Sequence, residues 1–556
     1  GLKFATSTVE GNLSATATTG NITQEGALTV RGTTTLVTSA QAATIDLSSI
    51  TTNGFTGELL ITTNDNDSPA DVEYVADVTI DGGTTNLIIG TSTIDGTLSL
   101  LSGGTITDTN SSTVTVLKNL SATTDASNSA ITLDGLAVTG SIGLTTHNNG
   151  NAAVVNASAL DLAASTIGGT LGATASAGDI TDSGQLMVTG AATFTAANNQ
   201  SIYLDNHDAS NTLFGIHTFS STVSFSSGGT LANVTVRDST AFDFGAALTL
   251  ASGGDLIVTA GGDVTQTGGA LIVPGTTTVN AAGNTVTLSN SSNNFTGAVS
   301  INALTVDLED TNAIVLGAST VTGNYAVEAG SAITQSAALA ITGVTTLEAG
   351  AGNNITLDNT SNNFLNAVKI TSGNNVTLVD ADTIDLGAST VSGTYAVTAK
   401  LGNITQSGNL TVTNASTFET EATNGTILCG NLLCTSTGGT NAFSGTVKLT
   451  TTGSSGHAYI DNGTTALEIA NDTSVGGNLT LVSGHASGIT DAGTLTVGGN
   501  LYATTDANDG VINLGGLDMS ATTSKIQLTT HNNGAATVVN TKHLHFISAD
   551  VGGNFI

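Results

Sequence analysis

The stretch GNITQSGNLTV, Gly402–Val412, decides the fold because it is not unique in the chain. Close copies begin at Gly20 (GNITQEGALTV), Gly178 (GDITDSGQLMV) and Gly262 (GDVTQTGGALIV). A catalytic motif is normally needed once, whereas a segment that returns along the whole chain is typical of stacked structural units. The sequence therefore predicts a repeat protein.

The central step of the motif is Ile or Val, then Thr, then Gln or Asp, and its copies divide the chain into composite repeats of 69–85 residues. The seven copies begin at Ile22, Ile106, Ile180, Val264, Ile333, Ile404 and Ile489. Within a repeat, apolar and polar residues alternate in short runs that Gly, Asn or Asp interrupts, which predicts strand, turn and strand. The repeat from Ile333 contains three laps of this kind.

Laps of roughly 20–30 residues with about three short strands each are what one coil of a parallel β-helix requires. We therefore predict an all-β chain, a right-handed parallel β-helix (β-solenoid) that runs through residues 1–556 as one continuous domain of about seven composite repeats. Tandem β-sandwich domains are the alternative, because their usual size of roughly 80–100 residues fits the repeat spacing. The three laps within one repeat argue against them.

The motif can be divided into core and turn positions. We expect the apolar residues to form inward ladders from coil to coil, and the doublets Asn293-Asn294, Asn353-Asn354, Asn362-Asn363 and Asn374-Asn375 to stack in turns. Gln406 is replaced by Asp at positions 108, 182 and 491, so we expect no compulsory ladder there. The inward positions are Ile404, Leu410 and Val412, and the turn positions are Gly402, Asn403 and Gly408.

Composition excludes several classes of function. The net charge is -33, from 42 acidic and 9 basic residues, and a field of that sign repels nucleic acid and anionic lipid surfaces. No apolar run reaches about 18 residues, so we expect no membrane-spanning segment. The first residues, GLKFATSTVE, have neither an initiator Met nor a signal peptide, which indicates a mature or partial chain.

The repeated phrases resemble those of large bacterial surface proteins, the filamentous-haemagglutinin-like and autotransporter-passenger group. The phrases GNLT, GNITQSG, TTTL, NNITLDN and STVSG carry the resemblance over nearly the whole chain. It implies a secreted, extracellular β-helix at the cell surface that serves as a fibre, filament, sheath, adhesin or matrix component, with host-cell or surface glycans as partners. The secretion domain and signal of that group are absent from this sequence.

Acidic clusters are the candidates for chemistry. Glycan-acting β-helices use clustered carboxylates, for which Asp380 with Asp382 and Glu309 with Asp310 qualify. Basic partners are dispersed, so solvated turn carboxylates are the simpler interpretation, and we expect no enzyme.

A metal site and a disulfide are two further candidates. Asp65, Asp67 and Asp71 form a weak Ca²⁺ candidate, since turn carboxylates suit that ion, and we expect no other cofactor. Cys429 and Cys434 either form a small disulfide loop or are two small apolar side chains in strands.

Both ends of the chain lie at one point of the repeat. LKFATSTV (2–9) and LHFISADV (544–551) are in phase with IDLGASTV (384–391). A solenoid normally needs polar caps over its open strand edges, and neither end resembles one. The sequence therefore predicts either an internal piece of a longer rod or a protomer that self-associates, end to end or lateral. The leading interpretation is a structural extracellular protein, and the alternative is a glycan-binding or polysaccharide-degrading β-helix.

Overall fold

The computed structural model describes residues 1–64, 75–205, 216–429, 441–519 and 523–556. It is an all-β protein whose parallel strands stack as a β-solenoid of about 23 turns, and its described residues contain no helix. The predicted β-helix is confirmed. Tandem β-sandwich domains are wrong, because sandwiches are built from antiparallel strands, and the described strand pairs are parallel.

The chain forms two compact units, Gly1–Ala281 and Ala282–Ile556. The strands of the first unit are Leu2–Phe4 (β1), Ser7–Val9 (β2), Leu13–Ala17 (β3), Ile22–Gln24 (β4), Leu28–Val30 (β5), Thr34–Thr38 (β6), Ile45–Leu47 (β7), Gly54–Phe55 (β8), Leu59–Thr62 (β9), Val78–Asp81 (β10), Leu87–Ile89 (β11), Ser92–Ile94 (β12), Leu98–Ser102 (β13), Ile106–Asp108 (β14), Val114–Val116 (β15), Leu120–Ser127 (β16), Ile131–Val138 (β17), Ser141–His147 (β18), Ala152–Asn156 (β19), Leu160–Leu162 (β20), Ser165–Ile167 (β21), Leu171–Ala175 (β22), Ile180–Asp182 (β23), Leu186–Val188 (β24), Ala192–Ala196 (β25), Ile202–Leu204 (β26), Thr218–Phe219 (β27), Val223–Ser227 (β28), Val234–Asp238 (β29), Phe242–Phe244 (β30), Leu248–Thr249 (β31), Leu256–Ala260 (β32), Val264–Gln266 (β33) and Leu271–Val273 (β34).

Strand β35, Thr277–Leu288, contains the dividing point. The strands that follow in the second unit are Asn294–Phe295 (β36), Ala298–Asp310 (β37), Ile314–Leu316 (β38), Ser319–Val321 (β39), Tyr325–Ala329 (β40), Ile333–Gln335 (β41), Leu339–Ile341 (β42), Thr345–Glu348 (β43), Ile355–Leu357 (β44), Asn363–Phe364 (β45), Val368–Ser372 (β46), Val376–Asp380 (β47), Ile384–Leu386 (β48), Ser389–Val391 (β49), Tyr395–Ala399 (β50), Ile404–Gln406 (β51), Leu410–Val412 (β52), Ser416–Thr423 (β53), Ile427–Cys429 (β54), Ala442–Phe443 (β55), Val447–Thr452 (β56), Ala458–Asp461 (β57), Leu467–Ile469 (β58), Thr473–Val475 (β59), Leu479–Ser483 (β60), Ile489–Asp491 (β61), Leu495–Val497 (β62), Leu501–Asn508 (β63), Ile512–Asp518 (β64), Ile526–His531 (β65), Ala536–Asn540 (β66) and Phe546–Asp550 (β67).

Each regular coil contains three strands, and each strand pairs with the strand three places later in the chain. In the first unit, β1 pairs with β4, β2 with β5 and β3 with β6. In the second unit, β48, β49 and β50 pair in the same way with β51, β52 and β53. The three-strand lap predicted from the sequence is therefore the structural coil.

The motif of residues 402–412 lies as predicted. Ile404, Leu410 and Val412 are fully buried, and Ile404 sits in register between Ile384 and Ile427. The turn residues predicted within the motif lie outside the strands. Since one coil cannot cover its own apolar face, these in-register ladders are what the stacking of coils buries.

Aromatic rings reinforce the ladders in both units. In the first unit, Phe225 stacks between Phe194 and Phe242, with ring centroids 6.1 and 6.3 Å away. In the second unit, Phe418 contacts Tyr395 and Phe443 edge to face at 5.9 and 5.7 Å. These spacings lie in the range that aromatic pairs favour.

The cross-section changes where one straight strand is covered by two short strands with a corner between them. Strand β46, for example, pairs with β48 at Val368, whereas Gly373, the residue that follows β46, bridges to Val391 of β49. At the corner, the Ser389 hydroxyl accepts a hydrogen bond from Ile370 N at 3.2 Å and donates one to Gly387 O at 2.9 Å. The serine hydroxyl thus replaces the backbone carbonyl acceptor that is lost where the next coil turns away.

Three other serines make the same pair of bonds, which explains the recurring phrase S-T-V or S-T-I. Each is at most 4% exposed and accepts from a core residue of the coil below at 3.0–3.1 Å. The serine and amide pairs are Ser92 with Ile61, Ser165 with Leu144 and Ser319 with Ile301.

Ser389→Ala is expected to lower the free energy of unfolding by about 1–3 kcal/mol, because the Ile370 N–H is left buried without its acceptor. Urea unfolding followed by circular dichroism measures the loss. The matched control is Thr390→Ala at the next, exposed residue, which should stay within about 0.5 kcal/mol of the parent protein. Equal effects of the two substitutions would contradict the role of the corner serine.

Candidate functional site

A buried polar cluster lies in the gap between two successive strands of one coil. We call this gap a junction, and define it in the second unit by Gln406, which ends β51, and Leu410, which begins β52. Asn441 of the next coil closes it: its Oδ1 accepts from Leu410 N at 3.0 Å, and its Nδ2 donates to Gln406 Oε1 at 3.1 Å. The same Nδ2 donates to Asp461 O at 3.0 Å, one coil further on. One side chain therefore links three coils.

Two further junctions have the same chemistry. Asn53 accepts from Leu28 N at 2.9 Å and donates to Gln24 Oε1 at 3.0 Å. Asn362 accepts from Leu339 N at 3.0 Å and donates to Gln335 Oε1 at 2.9 Å. Asn53 and Asn362 are 3% and 0% exposed, so these amides occupy the interior of the solenoid.

At two of the three positions where Asp replaces Gln, a continuous strand covers the junction instead. Asp108 accepts from Asp134 N at 3.1 Å and from Gly135 N at 2.7 Å, in the middle of β17. Asp491 accepts in the same way from Gly515 N and Gly516 N of β64, at 2.9 and 2.8 Å. Burial is the main cause that raises the pKa of Asp108, and the two amide bonds oppose it.

The remaining Asp, Asp182, faces a histidine. His217 Nδ1 accepts from Leu186 N at 3.0 Å, and His217 Nε2 lies 3.4 Å from Asp182 Oδ2. Both side chains are almost completely buried, with 0% and 1% exposed. At this junction the histidine occupies the place that Asn takes elsewhere.

The expectation that the Gln or Asp position is free of stacking constraints is therefore wrong. Gln24, Gln335 and Gln406 each pair with the asparagine above, and each described Asp at this position contacts the coil above. A strand end that stops short of the next strand leaves backbone donors unpaired, and these side chains satisfy them.

The residues that close the junctions were missed from the sequence, although a signal for them exists. They precede a buried Phe by two residues in the pattern Asn-x-Phe, with His-Thr-Phe as the variant. The pattern occurs at Asn53, His217, Asn293, Asn362 and Asn441. An Asn doublet hides it at Asn293-Asn294 and Asn362-Asn363, whose first members are buried instead of stacked in a turn.

The predicted Asn stacking in turns is found elsewhere. Asn354 Oδ1 accepts from Asn375 N at 3.1 Å, and Asn375 Oδ1 accepts from Thr394 N at 3.0 Å. Both asparagines are exposed. This surface ladder precedes the first strand residue of each coil and differs from the interior junction.

Two of the candidate catalytic carboxylates are buried and accept hydrogen bonds from backbone amides. Asp380 is 0% exposed, and its carboxylate accepts from Phe364 N and Asp382 N, each at 2.7 Å. Asp310 is 1% exposed and accepts from Phe295 N at 2.6 Å. Burial raises the pKa of both Asp carboxyls, while the amide bonds oppose the shift. Each caps the Phe that follows a junction.

The two proposed partners of these carboxylates do not join them. Asp382 is exposed, whereas Asp380 is buried. Glu309 precedes Asp310 in β37 and points to the opposite face, where it lies in register with Glu328, as Glu328 does with Glu348. Slight burial, then Glu328 and Asp307, raise the pKa of Glu309. Neither acidic pair forms a shared site.

The metal and disulfide candidates fall largely outside the described residues. Asp65, Asp67 and Asp71 all lie there, as does Cys434, so the Ca²⁺ site and the disulfide stay predictions. Cys429 is fully buried in β54, and burial raises the pKa of its thiol to about 12. Among the described residues, no group of three or more His, Cys, Asp and Glu is arranged to hold a metal ion.

Among the described residues, two positions equivalent to Ser389 carry no hydroxyl group. Leu248 pairs with Leu271 as Ser389 does with Leu410, and a pocket of about 160 Å³ lies beside Leu248. Ala549 stands at the same position near the end of the chain, where β67 continues along β65 after a register shift. A corner therefore forms at Leu248 without the hydroxyl group, and none forms at Ala549.

These features define a β-solenoid repeat protein whose recurring polar residues hold the coils together. The chain belongs to a family described as repeats of unknown function (DUF5649), whose model matches residues 1–62, 149–226, 231–302, 303–371 and 373–450, more than half of the chain. No curated protein and no solved structure matches it. None of the described residues belongs to a helix long and apolar enough to cross a membrane.

Asn362→Ala is expected to lower the free energy of unfolding by about 1–3 kcal/mol, because it leaves Leu339 N buried without its acceptor and removes the hydrogen bonds between Asn362 and the Gln335 amide. The neighbouring substitution Asn363→Ala, at an exposed position, is the control and should change the value by less than about 0.5 kcal/mol. Urea titration of both variants measures the two free energies of unfolding. A larger loss of stability for Asn363→Ala than for Asn362→Ala would show that Asn363 is the residue that closes the junction.

Asp380→Asn is expected to change how stability depends on pH. Because the pKa of Asp380 is raised in the folded protein, folding retains a proton that the unfolded chain releases. The stability of the parent relative to Asp380→Asn should therefore fall as pH rises from about 4 towards about 7.

Asn462 provides the reciprocal test, since it caps Phe443 N at 2.7 Å in the equivalent place. Asn462→Asp should introduce the same decline with rising pH, measured by urea unfolding at several pH values. A flat pH dependence in both comparisons would refute the argument.

Proposed function

We propose that this chain is a non-enzymatic structural protein of the extracellular surface, a solenoid component of a fibre, filament, sheath or adhesin. The observation that carries the proposal is the use of the recurring polar residues. At the described junctions and corners they are buried and bonded to neighbouring coils, as Asn441 is to Gln406 and Leu410. A motif used in this way lengthens a solenoid.

Charge and sequence style support the extracellular setting. The net charge of -33 on 556 residues favours a soluble, self-repelling surface and disfavours nucleic acid. The repeated phrases resemble those of filamentous-haemagglutinin-like and autotransporter-passenger proteins, in which such a solenoid is presented outside the cell.

Self-association is part of the proposal, with a second copy of the chain as the partner. All five residues of β67 are exposed. Phe546 and Phe555 contact each other edge to face at 5.5 Å while both are partly exposed, and Ile556 is 77% exposed. An apolar strand edge of this kind is a template for pairing with a further coil, which a second copy of the chain can supply.

Glycan binding is the second candidate, favoured by one groove in the first unit. The groove has a volume of about 420 Å³, within the range of ligand pockets, and is lined mainly by hydroxyl, amide and imidazole side chains. Its polar lining includes Thr146, His147, Asn148, Thr166, Thr218 and Ser220. These uncharged groups suit a neutral sugar.

Sedimentation velocity and electron microscopy of the purified chain test the structural proposal. The parent protein should form filaments or larger species, and Phe546→Asp with Phe555→Asp should shift it to a monomer. Antibodies should label the surface of the producing cell, and neutral and acidic polysaccharides should not be turned over. Intracellular labelling or turnover would overturn the proposal.

The glycan candidate is tested in the same preparation by binding to neutral oligosaccharides. His147→Ala should abolish binding, and His531→Ala, at the matching TTHNNG turn, should not. Equal binding by the parent and both variants would exclude the groove.

A further inference from the structure

The junction at His217 differs from the other described junctions in one chemical respect, which is that its closing group can take up a proton. Asn53, Asn362 and Asn441 accept the backbone N–H through an amide oxygen, which does not titrate near neutral pH. His217 accepts the N–H of Leu186 through Nδ1 at 3.0 Å. An imidazole changes its charge in that range.

The hydrogen-bond geometry fixes the state of the ring. Because Leu186 N always carries its hydrogen, Nδ1 of His217 is the acceptor and bears no proton. The ring proton is then on Nε2, which lies 3.4 Å from Asp182 Oδ2. A proton added at Nδ1 would place two donors opposite each other in a site with 0% exposure.

Acidic groups lie on both sides of the ring. Asp182 ends β23 below the ring, and Asp238 of β29 above it pairs with the backbone of His217. Asp161 of β20 lies next to Asp182. The Leu186 N–H faces Nδ1, so proton uptake at that atom is coupled to the loss of one particular hydrogen bond.

We propose that the Asp182–His217 pair is a pH-sensitive latch, which holds β24 to β27 when His217 is neutral and releases Leu186 N when the ring gains a proton. The released strands carry Met187 and Thr218, which are in register and line the groove of about 420 Å³. Acidification loosens this junction and changes the shape of the groove beside it. The junctions closed by Asn stay shut.

Hydrogen exchange at single amides in the full chain tests the latch, with Leu339 as the internal control because Asn362 closes its junction. Between about pH 7.5 and about pH 5.5, the protection of Leu186 relative to Leu339 should fall at least tenfold after correction for intrinsic exchange. Equal protection ratios at the two pH values would overturn the proposal.

Two double variants exchange the chemistry of the junctions. Asp182→Gln with His217→Asn installs the Gln–Asn pair and should make Leu186 protection independent of pH. Gln335→Asp with Asn362→His should make Leu339 acid-sensitive. An acid response that survives in the first variant would refute the latch.

A spectroscopic measurement keeps the test decisive if a variant does not fold. Nitrogen-15 spectra of histidine-labelled parent protein at about pH 8 should show His217 as the tautomer with its proton on Nε2. The Nδ1-protonated tautomer would overturn the proposal.

Discussion

The solenoid depends on keeping every backbone N–H paired from one coil to the next, at the spacing that parallel strands impose. Straight stretches meet this requirement with the ladder itself, as between Ile384 and Ile404. At corners and gaps the ladder leaves backbone N–H groups without a partner, because the neighbouring coil turns away there. The buried serines, asparagines and carboxylates lie at those places, and each one supplies the acceptor that is missing.

This constraint also explains why the composite repeat is longer than one coil. A corner such as that at Ser389 turns one straight strand into two short ones, and a carboxylate such as Asp108 allows one long strand to cover two. Corner and junction must alternate if the cross-section is to stay closed. The repeat therefore spans several coils, and its motifs mark changes of cross-section instead of single turns.

The sequence could predict the coil, because apolar alternation interrupted by Gly and Asn depends on local geometry alone. It placed Ile404, Leu410 and Val412 in the core and the glycines in turns. The sequence could not predict the junction, because Gln406 and Asn441 meet only after the chain has completed a coil. In addition, the sequence around an Asn in a turn is the same whether the side chain faces water or the core. Asp380 was misjudged for the same reason, since its role depends on Phe364 in the previous coil.

The exceptions show how much each polar group determines. With Leu248 in place of the corner serine a pocket lies beside the corner, while at Ala549 the strand continues along its neighbour after a register shift. At the junctions, exchanging an amide for His217 keeps the hydrogen bond to Leu186 and adds a proton-binding group. The free energy of unfolding and the response to pH therefore depend on the same few interior positions. Substitutions at these positions can change both properties in a family of such repeats without altering the ladders that define its fold.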